Sequence, residues 1–149
     1  MRKVYLWIMV ALSLVFSSSS FAKTADLAGG WYSDSPEKLK SDIEKYLKEA
    51  IVPAVSGDVI GVIAPHAGIK FSGEVAAYSY KALMEKSPSV VVLVGFSHRN
   101  YYPGKISILT DDFFVTPLGK VPVDKKLSLK LMEYNPAIAD IPEAFSGEN

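Results

Sequence analysis

Two short apolar runs, each followed by a histidine after one or two intervening residues, constrain the fold of this chain more than any other feature of its sequence. The runs cover residues 59–64 and 90–95, and they lead into His66 and His98. Both are rich in β-branched residues and lie between turn-forming residues, which predicts strands that are buried on both faces of a parallel sheet. Residues 73–86 between them predict a helix. The order strand, helix, strand indicates a βαβ unit, so we expect an α/β fold with a mostly parallel sheet and helices on both faces.

Further elements are predicted on either side of this unit. Ser35 is placed to cap a helix that begins at Pro36, and apolar residues recur at every fourth position until the helix ends near Pro53. Ser72 is the expected N-cap of the helix over 73–86. A third helix is predicted over residues 124–133, with Asp124 as its N-cap. Strands are expected at 105–110 and near Val121, on either side of a loop that contains residues 116–119.

The N-terminus has the pattern of a secretory signal peptide. Arg2 and Lys3 precede an apolar run over residues 4–16, and small residues lead to a predicted cleavage site after Ala22. The alternative is an uncleaved membrane anchor, but a nearly unbroken apolar run of 13 residues is short of the roughly 20 that a spanning helix needs. We therefore expect residues 1–22 to be removed, no stable membrane anchor, and an exported protein that is periplasmic or extracellular. Residues 23–149 are expected to form one domain.

The composition excludes some classes of partner and of fold. Lysine and arginine number 16, as do aspartate and glutamate, so the balanced charge gives no reason to expect binding to nucleic acid or to an anionic membrane surface. The chain contains no cysteine, although export would allow disulfides. We therefore expect the hydrophobic core alone to stabilise the fold, and a cysteine-linked lipid anchor is excluded.

The two histidines occupy equivalent places in the predicted βαβ unit. Parallel strands end at the same edge of a sheet, and ligands bind in the crevice outside those carboxyl ends. Neighbouring strands lie about 4.8 Å apart, so His66 and His98 could hold one metal ion; with one strand between them, at about 10 Å, both side chains would have to lean inward. In the alternative interpretation each is an ordinary loop residue or a half-buried polar group. Imidazole is the commonest metal ligand in proteins, so a metal is the first ligand expected.

The glycines of residues 64–73 do not indicate a nucleotide site. The segment lacks the G-K-[ST] ending of a P-loop and the G-x-G-x-x-G of a dinucleotide-binding turn. Its glycines are better suited to a tight turn beside the histidine site. Neither Ser72 nor Ser97 lies in the G-x-S-x-G pattern of a serine nucleophile, so capping or loop roles are expected for both.

Four short motifs are spread along the chain, namely A-G-G-W-Y at 28–32, A-P-H-A-G at 64–68 with S-G at 72–73, G-F-S-H at 95–98 and T-P-L-G at 116–119. In order and spacing they resemble those of the Memo family, whose bacterial and archaeal members are called AmmeMemoRadiSam system protein B. The resemblance covers almost all of residues 23–149 but only the first half of a family-length protein. It implies that this region is the N-terminal portion of a Memo-like domain, truncated at its C-terminus.

The resemblance also implies a function. The family is similar to class III extradiol dioxygenases, which are non-haem iron enzymes with an α/β fold. The family's metal-binding histidines fall on His66 and His98, and its pocket tryptophan falls on Trp31. Phe71 and Ser97 are expected in the same pocket, although the family often has tyrosines where this chain has Ile69 and Phe71. Fe(II) is the first metal expected, with zinc or copper as alternatives, and a radical SAM or AMMECR-type protein is the partner implied.

Further ligands implied by the family are not found in this sequence. The family's E-H-S-[IL]-E stretch should begin near Glu148, but Asn149 stands where its histidine would be. A later aspartate–histidine motif and a cysteine ligand would lie beyond Asn149. The resemblance therefore implies half of a metal site.

Three hypotheses about function follow. The first is a metal-dependent, dioxygenase-like oxidoreductase. The second is a non-catalytic module that binds an anionic ligand, since the animal family member is described as binding phosphotyrosine peptides; Lys70 and Arg99 would add positive charge. The third is a truncated chain with no independent function.

Overall fold

The computed structural model describes residues 22–84 and 86–147. The predicted signal peptide, apart from Ala22, therefore lies outside the described residues, as does the start of the expected E-H-S motif at residues 148–149. Within the described ranges, no helix is long and apolar enough to cross a membrane.

Of the three α-helices in residues 22–84 and 86–147, two begin where the sequence predicts. Helix α1 spans Pro36–Glu49, α2 spans Ile69–Met84 and α3 spans Lys125–Tyr134. The Ser35 hydroxyl accepts the backbone N–H of Lys38 at 3.3 Å, and the Asp124 carboxylate accepts that of Leu127 at 2.9 Å. Both side chains thus satisfy N–H groups that a helix end leaves without partners. The predicted caps of α1 and α3 are confirmed.

Helix α2 begins four residues earlier than predicted, and Ser72 is not its cap. The backbone N–H of Ile69 donates to the carbonyl oxygen of Trp31 at 2.9 Å, and the Gly68 carbonyl accepts the N–H groups of Phe71 and Ser72. The Ser72 hydroxyl lies within the helix and donates to the Ala67 carbonyl at 2.8 Å. The start of α2 is therefore set by a hydrogen bond to Trp31, which is distant in the chain. A local sequence pattern cannot predict such a bond.

The strands are short and their pairing is mixed. They are β1 (Ala22–Lys23), β2 (Ile106–Ser107), β3 (Phe113–Thr116), β4 (Gly119–Pro122) and β5 (Ile138–Ala139), followed by a 3-10 helix over Pro142–Phe145. The first sheet has the order β1-β3-β4, with β1 parallel and β4 antiparallel to β3. In the second sheet β2 pairs parallel with β5. At the β3–β4 turn, the Thr116 hydroxyl accepts the Leu118 N–H, and Gly119 adopts a φ of 131°.

The predicted buried strands at residues 59–64 and 90–95 are not confirmed. Neither segment is assigned to a strand, and no described strand pairs with either of them. Ile60 and Ile63 are 98% and 96% exposed, and Val94 is 92% exposed. A strand exists only where a neighbouring strand takes up its backbone N–H and C=O groups, so sequence preference alone cannot form one. The architecture shown is mixed α/β, and the expectation of a mostly parallel sheet is not confirmed.

The core of the described residues lies between α1 and α2. Leu39, Ala76 and Ala77 are buried there. Gly73 allows the two helices to approach closely, because a Cβ atom at this position would lie 2.8 Å from Cε2 of Tyr46. No large side chain among the described residues is fully buried. This helix pair supports the segment that carries His66.

Candidate metal site

The imidazole rings of His66 and His98 are in contact. Their Nε2 atoms lie 3.3 Å apart, and the ring centroids are 5.3 Å apart with the ring planes at 60°. His66 lies three residues before α2, and His98 follows residues 90–97, which form no regular element. The expected proximity of the two side chains is therefore present, although neither of them follows an assigned strand.

Phe96 contacts both imidazoles. Its ring centroid lies 5.4 Å from that of His66 in an edge-to-face arrangement and 4.4 Å from that of His98 in a tilted one. Aromatic pairs at such distances stabilise one another by about 0.5–1.5 kcal/mol each. Phe96 thus limits the orientations open to the two rings. Sequence reasoning missed this role, although Phe96 belongs to the G-F-S-H motif.

A cavity of about 310 Å³ lies beside the histidine pair. Its lining residues include both histidines and five further residues with side chains, namely Leu27, Trp31, Tyr32, Ala67 and Arg99. Trp31, which the resemblance implies for the pocket, lines this cavity, and so does Tyr32, which was not predicted. Phe71, in the first turn of α2, is 83% exposed and is not among the lining residues. Ser97 is not among them either; its hydroxyl accepts the backbone N–H of Asn100 at 3.3 Å.

A backbone hydrogen bond holds Trp31 close to the segment that joins His66 to α2. The Ile69 N–H donates to the Trp31 carbonyl at 2.9 Å, and a Cβ at Gly68 would lie 3.0 Å from that same oxygen. A side chain at residue 68 would therefore push the two segments apart. The glycines of this loop were predicted to allow a tight turn, and at Gly68 the structure shows instead a close approach to the Trp31 backbone.

The C-terminal part of the described chain reaches the same cavity. Arg99 Nε donates to the Gly147 carbonyl at 3.3 Å, and the Gly147 N–H donates to the Asp26 carboxylate at 2.9 Å. Asn100 Nδ2 donates to the Glu143 carbonyl at 3.3 Å. Gly147 lines the cavity, and of the two predicted cations Arg99 lines it while Lys70 does not. No local sequence signal indicated this return of the chain.

The Asp26 carboxylate, which accepts the Gly147 N–H, also contacts Lys23. The Lys23 ammonium, 2.8 Å from the carboxylate, is the main cause that holds the pKa of Asp26 below its ordinary value. Hydrogen bonds from Thr24 and from the Gly147 backbone lower that pKa further, while partial burial opposes them.

The separation of the two Nε2 atoms fits one metal ion. Two nitrogens that each lie about 2.05 Å from an ion, at a tetrahedral angle, are about 3.3 Å apart, which is the separation observed. The same separation also suits a hydrogen bond in which one Nε2–H donates to the other ring. The described residues hold no group of three or more His, Cys, Asp or Glu side chains that could surround an ion. This part of the chain therefore offers two nitrogen ligands.

Comparison with known proteins identifies a matching family and several relatives. The family model for Memo-like protein matches residues 23–148. A MEMO1 family protein of Pyrobaculum aerophilum is 34% identical over 130 residues, which cover 83% of this chain and 46% of that protein. One from Methanopyrus kandleri is 36% identical over 117 residues, or 71% of this chain and 40% of that protein. The yeast MEMO1 family protein MHO1 is 30% identical over 74% of this chain and 33% of its own length.

This chain thus spans less than half the length of these curated relatives. Because the family model covers most of the chain, and the motifs around Trp31, His66 and His98 lie within the matched region, the chain belongs to the Memo-like protein family.

Proposed function

We propose that this chain binds a divalent metal ion through His66 and His98, in a dioxygenase-like pocket whose wall includes Trp31. The observation that carries the proposal is the Nε2–Nε2 distance of 3.3 Å, which suits two ligands of one ion. Both histidines are exposed at the cavity, so an ion can reach them from solvent. Fe(II) is the first metal proposed, and zinc and copper are alternatives because imidazole suits all three.

The residues around the pair have separate roles in this proposal. Phe96 holds the two rings against each other, and the Trp31 side chain forms an apolar wall for a bound substrate. Arg99 places a guanidinium at the cavity, where it orients an anionic group of the substrate. A bound metal would supply Lewis-acid or redox chemistry at the position between the two Nε2 atoms.

A dioxygenase-like oxidoreductase is the activity proposed for a completed site. Two histidines alone bind an ion weakly, and catalytic zinc sites commonly have three protein ligands. The relatives are more than twice the length of the matched region. We therefore assign ion binding to this chain, and catalysis to a form in which further ligands complete the site.

Metal analysis of purified, tag-free protein tests the proposal. We expect one ion per chain with micromolar or weaker affinity, and loss of at least about tenfold in affinity in both His66→Ala and His98→Ala. Asp58→Ala is the matched control, because it removes an exposed carboxylate away from the cavity. Metal retained at full affinity in both histidine variants would overturn the ligand assignment.

A second function rests on Arg99. Its guanidinium and the Trp31 ring share one cavity, a combination suited to an anionic or phosphotyrosine-like ligand without any metal. Binding of a phosphotyrosine peptide is measured in the presence of a metal chelator. Binding that is lost in Arg99→Gln but retained in His66→Ala would favour this non-catalytic module. If the ligand is instead held through a metal ion, the chelator should abolish peptide binding.

Export and partners complete the proposal. We propose that residues 1–22 direct export to the periplasm or the extracellular space and that a radical SAM or AMMECR-type protein is a partner. N-terminal sequencing of the protein from the periplasmic or culture fraction should begin at Lys23. Full-length protein found only inside the cell would contradict export.

A further inference from the structure

Arg99 is the only lysine or arginine among the described residues that line the cavity beside the histidine pair. It directly follows His98 and is exposed. A long, exposed side chain samples many rotamers, and a ligand that binds it must first order it, which weakens binding. The contacts that hold Arg99 before a ligand arrives therefore determine how well the cavity receives an anion.

Gly147 holds the guanidinium of Arg99. Nε of Arg99 donates to the Gly147 carbonyl oxygen at 3.3 Å. A Cβ atom at Gly147 would lie 2.7 Å from Nε and 2.8 Å from Cζ of Arg99, so the guanidinium occupies the space in which another residue would carry its side chain. The φ of 66° at Gly147 lies in the left-handed region, which glycine adopts without a steric penalty. Glycine at this position therefore provides both the backbone conformation and the room that Arg99 needs.

Asp26 holds Gly147 in turn. The N–H of Gly147 donates to Oδ2 of Asp26, 121 positions away in the chain, at 2.9 Å. The Lys23 ammonium donates to the same carboxylate oxygen at 2.8 Å, and the Thr24 hydroxyl donates to the other one. Hydrogen bonds to an ionised acceptor are roughly twice as strong as those between neutral groups. The carboxylate is thus fixed by two neighbours in its own segment and connects that segment to Gly147.

The segment that contains Gly147 has a second attachment, which does not involve Asp26. Asn100 Nδ2 donates to the Glu143 carbonyl oxygen at 3.3 Å. This bond ties residues 142–147 to the backbone next to Arg99 even when the Asp26 carboxylate is removed. Loss of that carboxylate should therefore change the orientation of Gly147 and Arg99 without detaching the whole segment.

We infer that Asp26 is a positioning residue for Arg99: through the N–H and C=O groups of Gly147, its carboxylate orders the guanidinium at the cavity before an anionic ligand binds. The inference rests on the proposed role of Arg99 in orienting an anionic group, and it adds the residue that prepares Arg99 for that role. The ligand class is an anion joined to an aromatic ring, as in an aryl phosphate, because the Trp31 indole lines the same cavity.

Nitrogen-15 relaxation of the Arg99 side chain tests the positioning step without metal or ligand. The sequence contains two arginines, so an Arg2→Lys chain gives a single Nε–H signal. In this parent we expect an ordered Nε–H bond, whose order parameter falls below about 0.6, the range of flexible groups, in Asp26→Ala. Asp112→Ala is the matched control, because that carboxylate also contacts a lysine, Lys125 at 3.3 Å, and does not line the cavity. An unchanged order parameter in Asp26→Ala, or an equal fall in the control, would overturn the inference.

Gly147→Ala breaks the same connection from the other side, and it keeps the inference testable if Asp26→Ala fails to fold. Its Cβ would displace the guanidinium, so the Arg99 order parameter should fall here as well. Gly104→Ala is the control, because its φ of 67° imposes the same left-handed strain and no atom lies within 4 Å of its added Cβ. An Arg99 side chain as ordered in Gly147→Ala as in the parent contradicts the inference.

Titration with phenyl phosphate tests the consequence for binding. Affinity is followed by the Arg99 Nε–H resonance, once with one equivalent of Zn²⁺ and once with a chelator. In whichever condition the parent binds, we expect Asp26→Ala to bind about threefold to tenfold more weakly, because Arg99 must then be ordered during binding. Equal affinities of the parent and Asp26→Ala would overturn the inference.

The failure of this inference differs from the failure of the metal proposal. A parent chain that binds phenyl phosphate in neither condition would refute the anion-binding role of Arg99, and this inference with it. Binding of Zn²⁺ by His66 and His98 is measured without phenyl phosphate, so it is unaffected by that result. Loss of Zn²⁺ binding in turn leaves the metal-free relaxation result unchanged.

Discussion

The backbone N–H of Ile69 donates a hydrogen bond to the carbonyl oxygen of Trp31 at 2.9 Å. This bond joins two sequence motifs that are far apart in the chain, because Trp31 belongs to A-G-G-W-Y and Ile69 directly follows A-P-H-A-G. It also satisfies a helix N-terminal N–H that α2 itself cannot satisfy. The indole of Trp31 and the imidazole of His66 thereby come to line one cavity.

Gly68→Ala should break this connection. The added Cβ would lie 3.0 Å from the Trp31 carbonyl oxygen and 3.5 Å from its Cα, both of which are backbone atoms that cannot rotate away. We expect a loss of about 1–3 kcal/mol in the free energy of unfolding and a shift in Trp31 fluorescence, measured on protein lacking residues 1–22. Trp31 is then the sole tryptophan of the chain. Gly61→Ala is the control, because no atom lies within 4 Å of its added Cβ.

Gly73→Ala should destabilise the protein, although replacing glycine by alanine within a helix usually stabilises it. In a helix interior this change normally stabilises by about 1 kcal/mol, but here the Cβ would lie 2.8 Å from the Tyr46 ring. We expect net destabilisation of about 1–2 kcal/mol, measured by denaturant unfolding. In a Tyr46→Ala background the cost should shrink, and a double-mutant cycle measures that coupling. Additive effects of the two changes would show that α1 and α2 do not meet at this point.

Phe96→Ala should weaken metal binding without removing a ligand. Its ring contacts both imidazoles, so its loss frees them to rotate away from the geometry that suits one ion. We expect a decrease of about tenfold in affinity by metal titration, which corresponds to the loss of two ring contacts of ordinary strength. Phe71→Ala is the matched control, because that ring is exposed and does not line the cavity. Equal decreases in both variants would argue against a role for Phe96 in orienting the pair.

Asp26→Asn should lower stability at neutral pH but not in acid. The Lys23 ammonium chiefly lowers the pKa of Asp26, so the carboxylate stabilises the fold above its unfolded-state pKa of about 3.9. This contribution is lost as the pH falls through the lowered folded-state value. We expect the wild-type protein to be more stable by about 0.2–1 kcal/mol at pH 7, and the difference to disappear in strong acid, in unfolding measured across pH. A difference that persists in strong acid contradicts this origin, and Asp58→Asn serves as the exposed control.

Helix ends that depend on adjacent residues could be predicted from the sequence. Ser35 and Asp124 cap α1 and α3 because each hydroxyl or carboxylate acts on an N–H three residues ahead. The start of α2 could not be predicted, because it depends on the carbonyl of distant Trp31. The hairpin of β3 and β4 was anticipated only as a loop and a strand near Val121, and β3 itself was missed.

At the histidine site, too, some features could be predicted from the sequence and others depend on contacts between distant residues. Proximity of His66 and His98 was predicted from strands that end at a common edge, and the rings do meet. The strands themselves are not present, since pairing requires neighbours that local sequence cannot supply. Trp31, which the resemblance implies for the pocket, lines the cavity together with its neighbour Tyr32, whereas Gly147 reaches the cavity through long-range hydrogen bonds for which the sequence carries no local signal.

Imidazole nitrogen NMR tests the central claim most directly, because the chain contains two histidines and therefore gives two ring spin systems. Tag-free, ¹⁵N-labelled protein is titrated with Zn²⁺. We predict that the Nε2 resonances of His66 and His98 shift together and saturate at one equivalent, and that His66→Gln weakens the response of His98. Resonances that respond independently, or binding at Nδ1 in either ring, would show that the two imidazoles do not share an ion.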